Sequence, residues 1–141
     1  MAEEENVRRA VATRRGGYTH DMKVRGFELV ADEPEDHGGA DEGPRPTEYL
    51  AAALASCTAI TIEMYADRKG WELGDLEVVA EYTPRAGKET PEHIDVILKL
   101  PGGLTEDQTQ RIHRIAGKCP VHRALAGETD VSIEDHIEVT G

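Results

Sequence analysis

Aromatic side chains are scarce in this 141-residue chain, which has one Phe, one Trp and four Tyr. A core without large rings must be built from small aliphatic side chains, many of them alanine, and these need close neighbours on several sides. Positive charge is also short: 16 Lys and Arg stand against 28 Asp and Glu, a net charge of −12. That balance argues against nucleic acid and anionic membrane surfaces as partners, because their phosphates would be repelled. No apolar run is read as approaching the ~20 residues of a membrane span, and neither a span nor a signal peptide is expected. The opening MAEEENVRRA is polar and expected to fray. A cytoplasmic address is the expectation, and there a permanent structural disulfide between the only two cysteines, Cys57 and Cys119, would be unusual.

What the chain does have is one long apolar stretch, PTEYLAAALASCTAITIEMYADRKGW, from Pro46 to Trp71. At 3.6 residues per turn Leu50, Leu54, Cys57, Ile60 and Met64 share a stripe, and the remaining faces carry alanines and Ile62. No charge falls between Tyr49 and Ile62, and a helix apolar all round is expected to be buried. Pro46 suits the first turn, Glu48 places negative charge at the positive end of the dipole, and Gly70 fits the C-terminal cap. A chain of this size has few elements with which to surround such a helix, so a homodimer sharing the core is expected.

In order, Val7 to Arg15 reads as a strand with Val7, Val11, Thr13 and Arg15 on one face, followed by a Gly16-Gly17 hairpin turn. Tyr18 to Val24 and Gly26 to Ala31 read as two more strands, and the acidic, Gly- and Pro-rich Glu33 to Arg45 as the loop leading into the helix. After Trp71 the period returns to two, with strands at Leu76–Thr83 and His93–Leu100 around a Pro84–Pro91 loop. Thr105 with Gln108 forms a capping box that opens a helix ending at Gly117, and Cys119–Leu125 is a short helical piece. Val131, Ile133, Ile137 and Val139 predict a last strand, interrupted at Asp135. The fold class is α+β, with a largely antiparallel sheet wrapped on helices.

Two cysteines carry the possible chemistry. Cys57 lies mid-helix, where a free cysteine more often packs as a small hydrophobe. Cys119 precedes Pro120, which places it at a helix N-cap, and Lys118 and His122 would further lower its thiol pKa if they point inward. A zinc set of Cys57, Cys119, His113 and His122 is disfavoured, since no C-x-x-C is present and His113 lies on another segment. Ser56 lacks a G-x-S-x-G setting, and the Gly-rich loop lacks the Lys-Ser or Lys-Thr of a phosphate cradle.

The pairing of Pro46-Thr47-Glu48-Tyr49-Leu50 and Ala53-Leu54-Ala55-Ser56-Cys57-Thr58-Ala59 with a second mark, Cys119-Pro120-Val121-His122-Arg123-Ala124-Leu125, resembles the OsmC and organic-hydroperoxide-resistance superfamily, nearest its general OsmC-like branch. The resemblance covers nearly the whole chain. It implies a single OsmC-like domain over residues 1–141 and an intertwined homodimer with sites at the subunit interface. The implied activity is that of a thiol peroxidase acting on hydrophobic organic hydroperoxides in stress defence. Cys57 would attack the peroxide and become a sulfenic acid, and Cys119 would condense with it to a disulfide. An external dithiol or lipoyl-type reductant would reopen that disulfide, with no bound cofactor or metal. An Arg, Arg15 in preference to Arg14, would hold the thiolate, with Glu48 orienting it. Glu48 and Cys57 are nine positions apart, about half a turn out of phase and about 13 Å along an unbroken helix. So either the helix begins after Glu48 or the partner chain completes the site. The rival reading is a non-catalytic OsmC-fold protein that binds a small molecule or senses redox state.

Overall fold

The computed structural model describes residues 7–141. The first six residues of the segment expected to fray lie outside that range, and residues 7–10 have no regular structure. The fold is α+β, as expected. The chain divides into two compact units: one runs through Leu50 and includes Arg85–Pro91, the other comprises Ala51–Pro84 and Glu92–Gly141.

The first unit holds an antiparallel sheet in the order β1 (Val11–Gly16), β2 (Thr19–Val24), β3 (Phe27–Ala31). Val11 pairs with Lys23 and Arg14 with His20, but Gly16 pairs with Thr19, so Arg15 is an extra residue at a β-bulge. The bulge shifts the turn by one residue from the expected Gly16-Gly17 to Gly17-Tyr18, with Gly17 at φ 56°. Beyond β3 the acidic segment is no loose tether, because it folds around one buried carboxylate. Asp32 accepts hydrogen bonds from the Thr19 hydroxyl at 2.6 Å and from the backbone N–H groups of Glu33, Ala40 and Glu42 at 2.7, 3.4 and 3.2 Å. Close packing explains a glycine here: a Cβ on Gly39 would lie 1.8 Å from the Glu33 carbonyl oxygen.

The Thr19 hydroxyl first, and then the three backbone N–H groups, hold the Asp32 carboxyl below the ordinary carboxylate range, against the opposing effect of desolvation. With the folded-state pKa depressed, the stabilisation is complete above the unfolded value of ~3.9 and is lost as pH falls through the folded value. Asp32→Asn is therefore expected to be less stable than the parent at pH 7, with the gap narrowing as the medium is acidified below pH 4. Urea unfolding of both proteins across that range checks it, and a gap independent of pH would contradict it.

Helix α1 (Pro46–Lys69) starts where the sequence places it. Glu48 Oε1 accepts from the Arg45 N–H at 2.7 Å, satisfying a donor at the helix start. At the other end Gly70, at φ 72°, and Trp71 donate back to the carbonyls of Asp67 and Ala66, the pattern of a Schellman cap. The buried stripe differs from the expected one. Leu54, Thr58, Ile62 and Ala66, each four residues from the last, are buried, while Ile60 and Met64 are 54 and 58 % exposed. Ile62 and Ala66 form a core with Leu73, Ile112 and Ala116, edged by Trp71, Leu76, Leu98, Leu100 and Leu104. At 24 residues, with a mean hydropathy of 1.3 over an 18-residue stretch, α1 is long and apolar enough to cross a membrane by length and composition, which corrects the expectation that no segment is. The core helix of a soluble protein meets the same test.

The second unit continues with β4 (Glu77–Pro84) paired to β5 (Pro91–Lys99), then α2 (Glu106–Ala116) and α3 (Pro120–Leu125). The Thr105–Gln108 capping box is present in both directions, at 3.1 and 2.9 Å. The expected last strand does not form: residues 130–141 have no regular structure, and Val131, Ile133, Ile137 and Val139 are 64, 83, 92 and 86 % exposed. A strand needs an edge to pair its N–H and C=O groups, and none of the described residues supplies one to this segment.

Candidate redox site at Cys57 and Cys119

Pro120 occupies the first turn of α3, where its missing N–H costs nothing, and this leaves Cys119 as the N-cap. The Cys119 sulfur accepts from the His122 N–H at 3.4 Å. Cys57, on the fourth turn of α1, belongs to the same second unit. The two are joined as a disulfide, with their Cα atoms 5.9 Å apart and 62 positions between them in sequence, a spacing ordinary for such a bond. The two ends are unequal. Cys119 is wholly enclosed, whereas Cys57 is only partly buried, so Cys57 is the more exposed end of the bond.

His122 also lines a small cavity of about 100 Å³ with Val96, Leu98, His113, Ala116 and Gly117. Its Nδ1 lies 3.8 Å from Glu128 Oε2, beyond hydrogen-bonding distance. Lys118 is exposed. Among the described residues no group of three or more His, Cys, Asp or Glu side chains is arranged to hold a metal ion.

The other two candidate residues belong to the first unit. Arg15, at the β-bulge, donates to Asp21 at 2.5 and 3.3 Å and to Glu42 at 3.3 Å. The hydrogen bond to Asp21, and next its charge, raise the guanidinium pKa and depress that of the Asp21 carboxyl. Arg14 donates to the Gly17 carbonyl at 3.0 Å. Glu48 caps α1, and because α1 is unbroken from Pro46 to Lys69, the alternative in which the helix begins after Glu48 falls away. An arginine the sequence reading passed over is Arg45, largely buried and bridging Glu33 at 3.0 Å and Glu89 at 3.1 Å. Its signal was position alone, as a cation immediately before the proline that opens the helix.

The profile of the OsmC-like proteins matches residues 38–134, which include the buried-Asp32 loop's second half, α1 with Cys57 and α3 with Cys119. The chain belongs to the OsmC-like protein family. No curated protein matches it, but solved structures share its fold. An OsmC-like protein from Mycoplasma pneumoniae superposes with a TM-score of 0.74 at 18 % identity, covering 87 % of this chain and 89 % of that one. The organic hydroperoxide resistance protein OsmC from Legionella pneumophila gives 0.65 at 24 % identity, covering 86 and 90 %. An organic hydroperoxide resistance protein from Elizabethkingia anophelis gives 0.65 at 24 %, covering 86 and 89 %. At these identities the likeness is one of fold. The OsmC-like family assignment rests on the profile, and the two cysteines that the sequence resemblance paired are the two joined in the structure.

Proposed function

We propose that this OsmC-like chain, as a single OsmC-like domain, is a thiol-dependent peroxidase that reduces organic hydroperoxides in stress defence. The observation that carries the reading is the Cys57–Cys119 disulfide, formed between the two cysteine motifs of the family. The Cys57 thiolate attacks the terminal peroxide oxygen, the O–O bond breaks, and the alkoxide leaves as an alcohol after taking a proton. Cys57 is then a sulfenic acid. The Cys119 thiol attacks that sulfur, water leaves, and the disulfide forms. An external dithiol or lipoyl-type reductant restores both thiols, and no bound cofactor is needed.

Arg15 is the proposed holder of the Cys57 thiolate, and Glu48 the residue that orients it. Since Glu48 lies half a turn and about 13 Å from Cys57 on one unbroken helix, the proposed working form is an intertwined homodimer whose second chain completes each site. The exposed Ile60 and Met64 of α1 and the exposed apolar residues of 131–139 support that assembly, being surface a single chain leaves bare. A cytoplasmic location suits a cycle that depends on a thiol reductant. The engagement of Arg15 with Asp21 and Glu42 favours a second reading, a non-catalytic OsmC-fold protein that binds a small molecule or senses redox state.

Peroxide consumption with a dithiol as reductant separates the two. The apolar surroundings of Cys57 on α1 predict turnover of cumene hydroperoxide at least about tenfold faster than hydrogen peroxide. Equal rates would contradict the substrate class, and no consumption of either would favour the second reading.

A further inference from the structure

Thr58 directly follows the reactive Cys57 and is wholly enclosed, yet its hydroxyl has no hydrogen-bond partner. A helical hydroxyl ordinarily donates to a carbonyl one turn back, as Ser56 does to Ala53 at 3.2 Å. Thr58 is not satisfied in that way, and an unpaired buried hydroxyl carries a real penalty.

Ile62 and Ala66 of α1 pack with Ile112 and Ala116 of α2, and one turn further along, Cys57 is bonded to Cys119. Thr58 continues the buried face of Ile62 and Ala66 along α1 and adjoins Cys57, whose Cα lies 5.9 Å from that of Cys119. The Cys119 sulfur is itself wholly enclosed and already accepts the His122 N–H at 3.4 Å.

We propose that Thr58 is a positioning residue for reopening the disulfide, its hydroxyl held in reserve for the sulfur of Cys119. This rests on the reading of Cys57 and Cys119 as a working redox couple. The thiolate of an incoming dithiol attacks the sulfur of Cys57, the more exposed end of the bond. The bond between the two cysteine sulfurs breaks, and its electron pair leaves with Cys119 as a thiolate. Water does not reach that sulfur, so the stabilisation must come from fixed donors, the His122 N–H and the Thr58 O–H. Donors to the charged form lower a thiol's pKa, and a leaving thiol of lower pKa departs faster. The second thiol of the reductant then attacks the mixed disulfide, releasing Cys57 and giving up a proton that Cys119 takes. In sum, the dithiol becomes a cyclic disulfide and the protein disulfide becomes two thiols.

The test uses the oxidised full chain, dithiothreitol as the dithiol, and the variants Thr58→Val, which keeps the outline without the hydroxyl, and Thr58→Ser, which keeps the hydroxyl. Thr58→Val is expected to open about tenfold more slowly and, at a pH high enough to keep Cys119 a thiolate in the reduced protein, to shift the equilibrium with dithiothreitol about tenfold toward the protein disulfide, about 30 mV for a two-electron couple. In a Cys57→Ser background it is expected to raise the midpoint at which Cys119 thiolate absorbance appears. Thr58→Ser is expected to match the parent in all three. Oxidised Thr58→Val should be at least as stable as the parent, because the group removed is unpaired there. A Thr58→Val protein with unchanged rate and equilibrium would overturn the proposal, and so would a Thr58→Ser protein as slow as Thr58→Val. No peroxide enters these measurements, so a protein that consumes none but shows the Thr58 effect would overturn the peroxidase reading and leave this inference standing.

Discussion

Cys57→Ser is expected to bring peroxide turnover down to the uncatalysed background, whereas Cys119→Ser keeps one rapid oxidation per chain and loses the cycle. The asymmetry follows from the roles. A serine hydroxyl at neutral pH is a poor nucleophile toward peroxide oxygen, whereas a cysteine is partly ionised and strongly nucleophilic. Without Cys57 nothing remains to attack, because Cys119 is wholly enclosed. Without Cys119 the sulfenic acid on Cys57 still forms but has no thiol to condense with, so it persists and can be trapped with dimedone. The assay is hydroperoxide consumption with excess dithiol, with the adduct located by peptide mass spectrometry. Full activity in Cys57→Ser would remove it as the attacking thiol.

A second large effect is expected from Ile62→Ala. Ile62 is wholly buried at the centre of a cluster with Ala66, Leu73, Ile112 and Ala116. Truncating such a side chain costs about 2–5 kcal/mol, through lost burial and the cavity left behind. Against a total stability of about 5–15 kcal/mol for a domain this is a large fraction, and expression at 37 °C should suffer. The same truncation at Ile60, two positions earlier and 54 % exposed in one chain, separates core from interface. If a second copy covers α1, Ile60→Ala lowers the urea midpoint by an amount that grows as the protein is diluted. If none does, it changes stability by less than about 0.5 kcal/mol at every concentration. Urea unfolding at two protein concentrations reads both variants.

These contrasts show where the sequence is legible. The Thr105–Gln108 capping box, the Cys119 N-cap ahead of Pro120 and the Gly70 cap all form where the residues indicate. Each is decided within one turn by side chains that sit next to the backbone groups they satisfy. The face of α1 is not decided that way. The helix carries no charge on any side from Tyr49 to Ile62, so nothing in the pattern marks a face, and packing decides it, with Ile62 and Ala66 lying in one cluster with Leu73, Ile112 and Ala116. The alternation of 131–139 reads as a strand, but an alternating segment does not name its neighbour, and none is present among the described residues.

The site divides in the same way. Cys57 and Cys119 stand out through their motifs, and their union in the structure agrees with that reading. Asp32 did not stand out, because its four donors come from Thr19 and from backbone scattered over 33–42, and no short pattern announces such a convergence. Arg15 shares a face with Val11 and Thr13 in an ideal strand, and a bulge no sequence rule located lies at Arg15 itself. Thr58 looks like any small residue of the motif until its burial and its unpaired hydroxyl are seen together.

The most direct test of the two-cysteine cycle is a single turnover. Fully reduced protein receives one equivalent of cumene hydroperoxide and is examined by mass spectrometry without reductant. The two-cysteine cycle predicts rapid loss of two hydrogens per chain, mapped to a bond between Cys57 and Cys119, with one equivalent of cumyl alcohol formed. Both thiols still free after the peroxide has been offered, with the hydroperoxide intact, would contradict it and turn attention to a bound ligand.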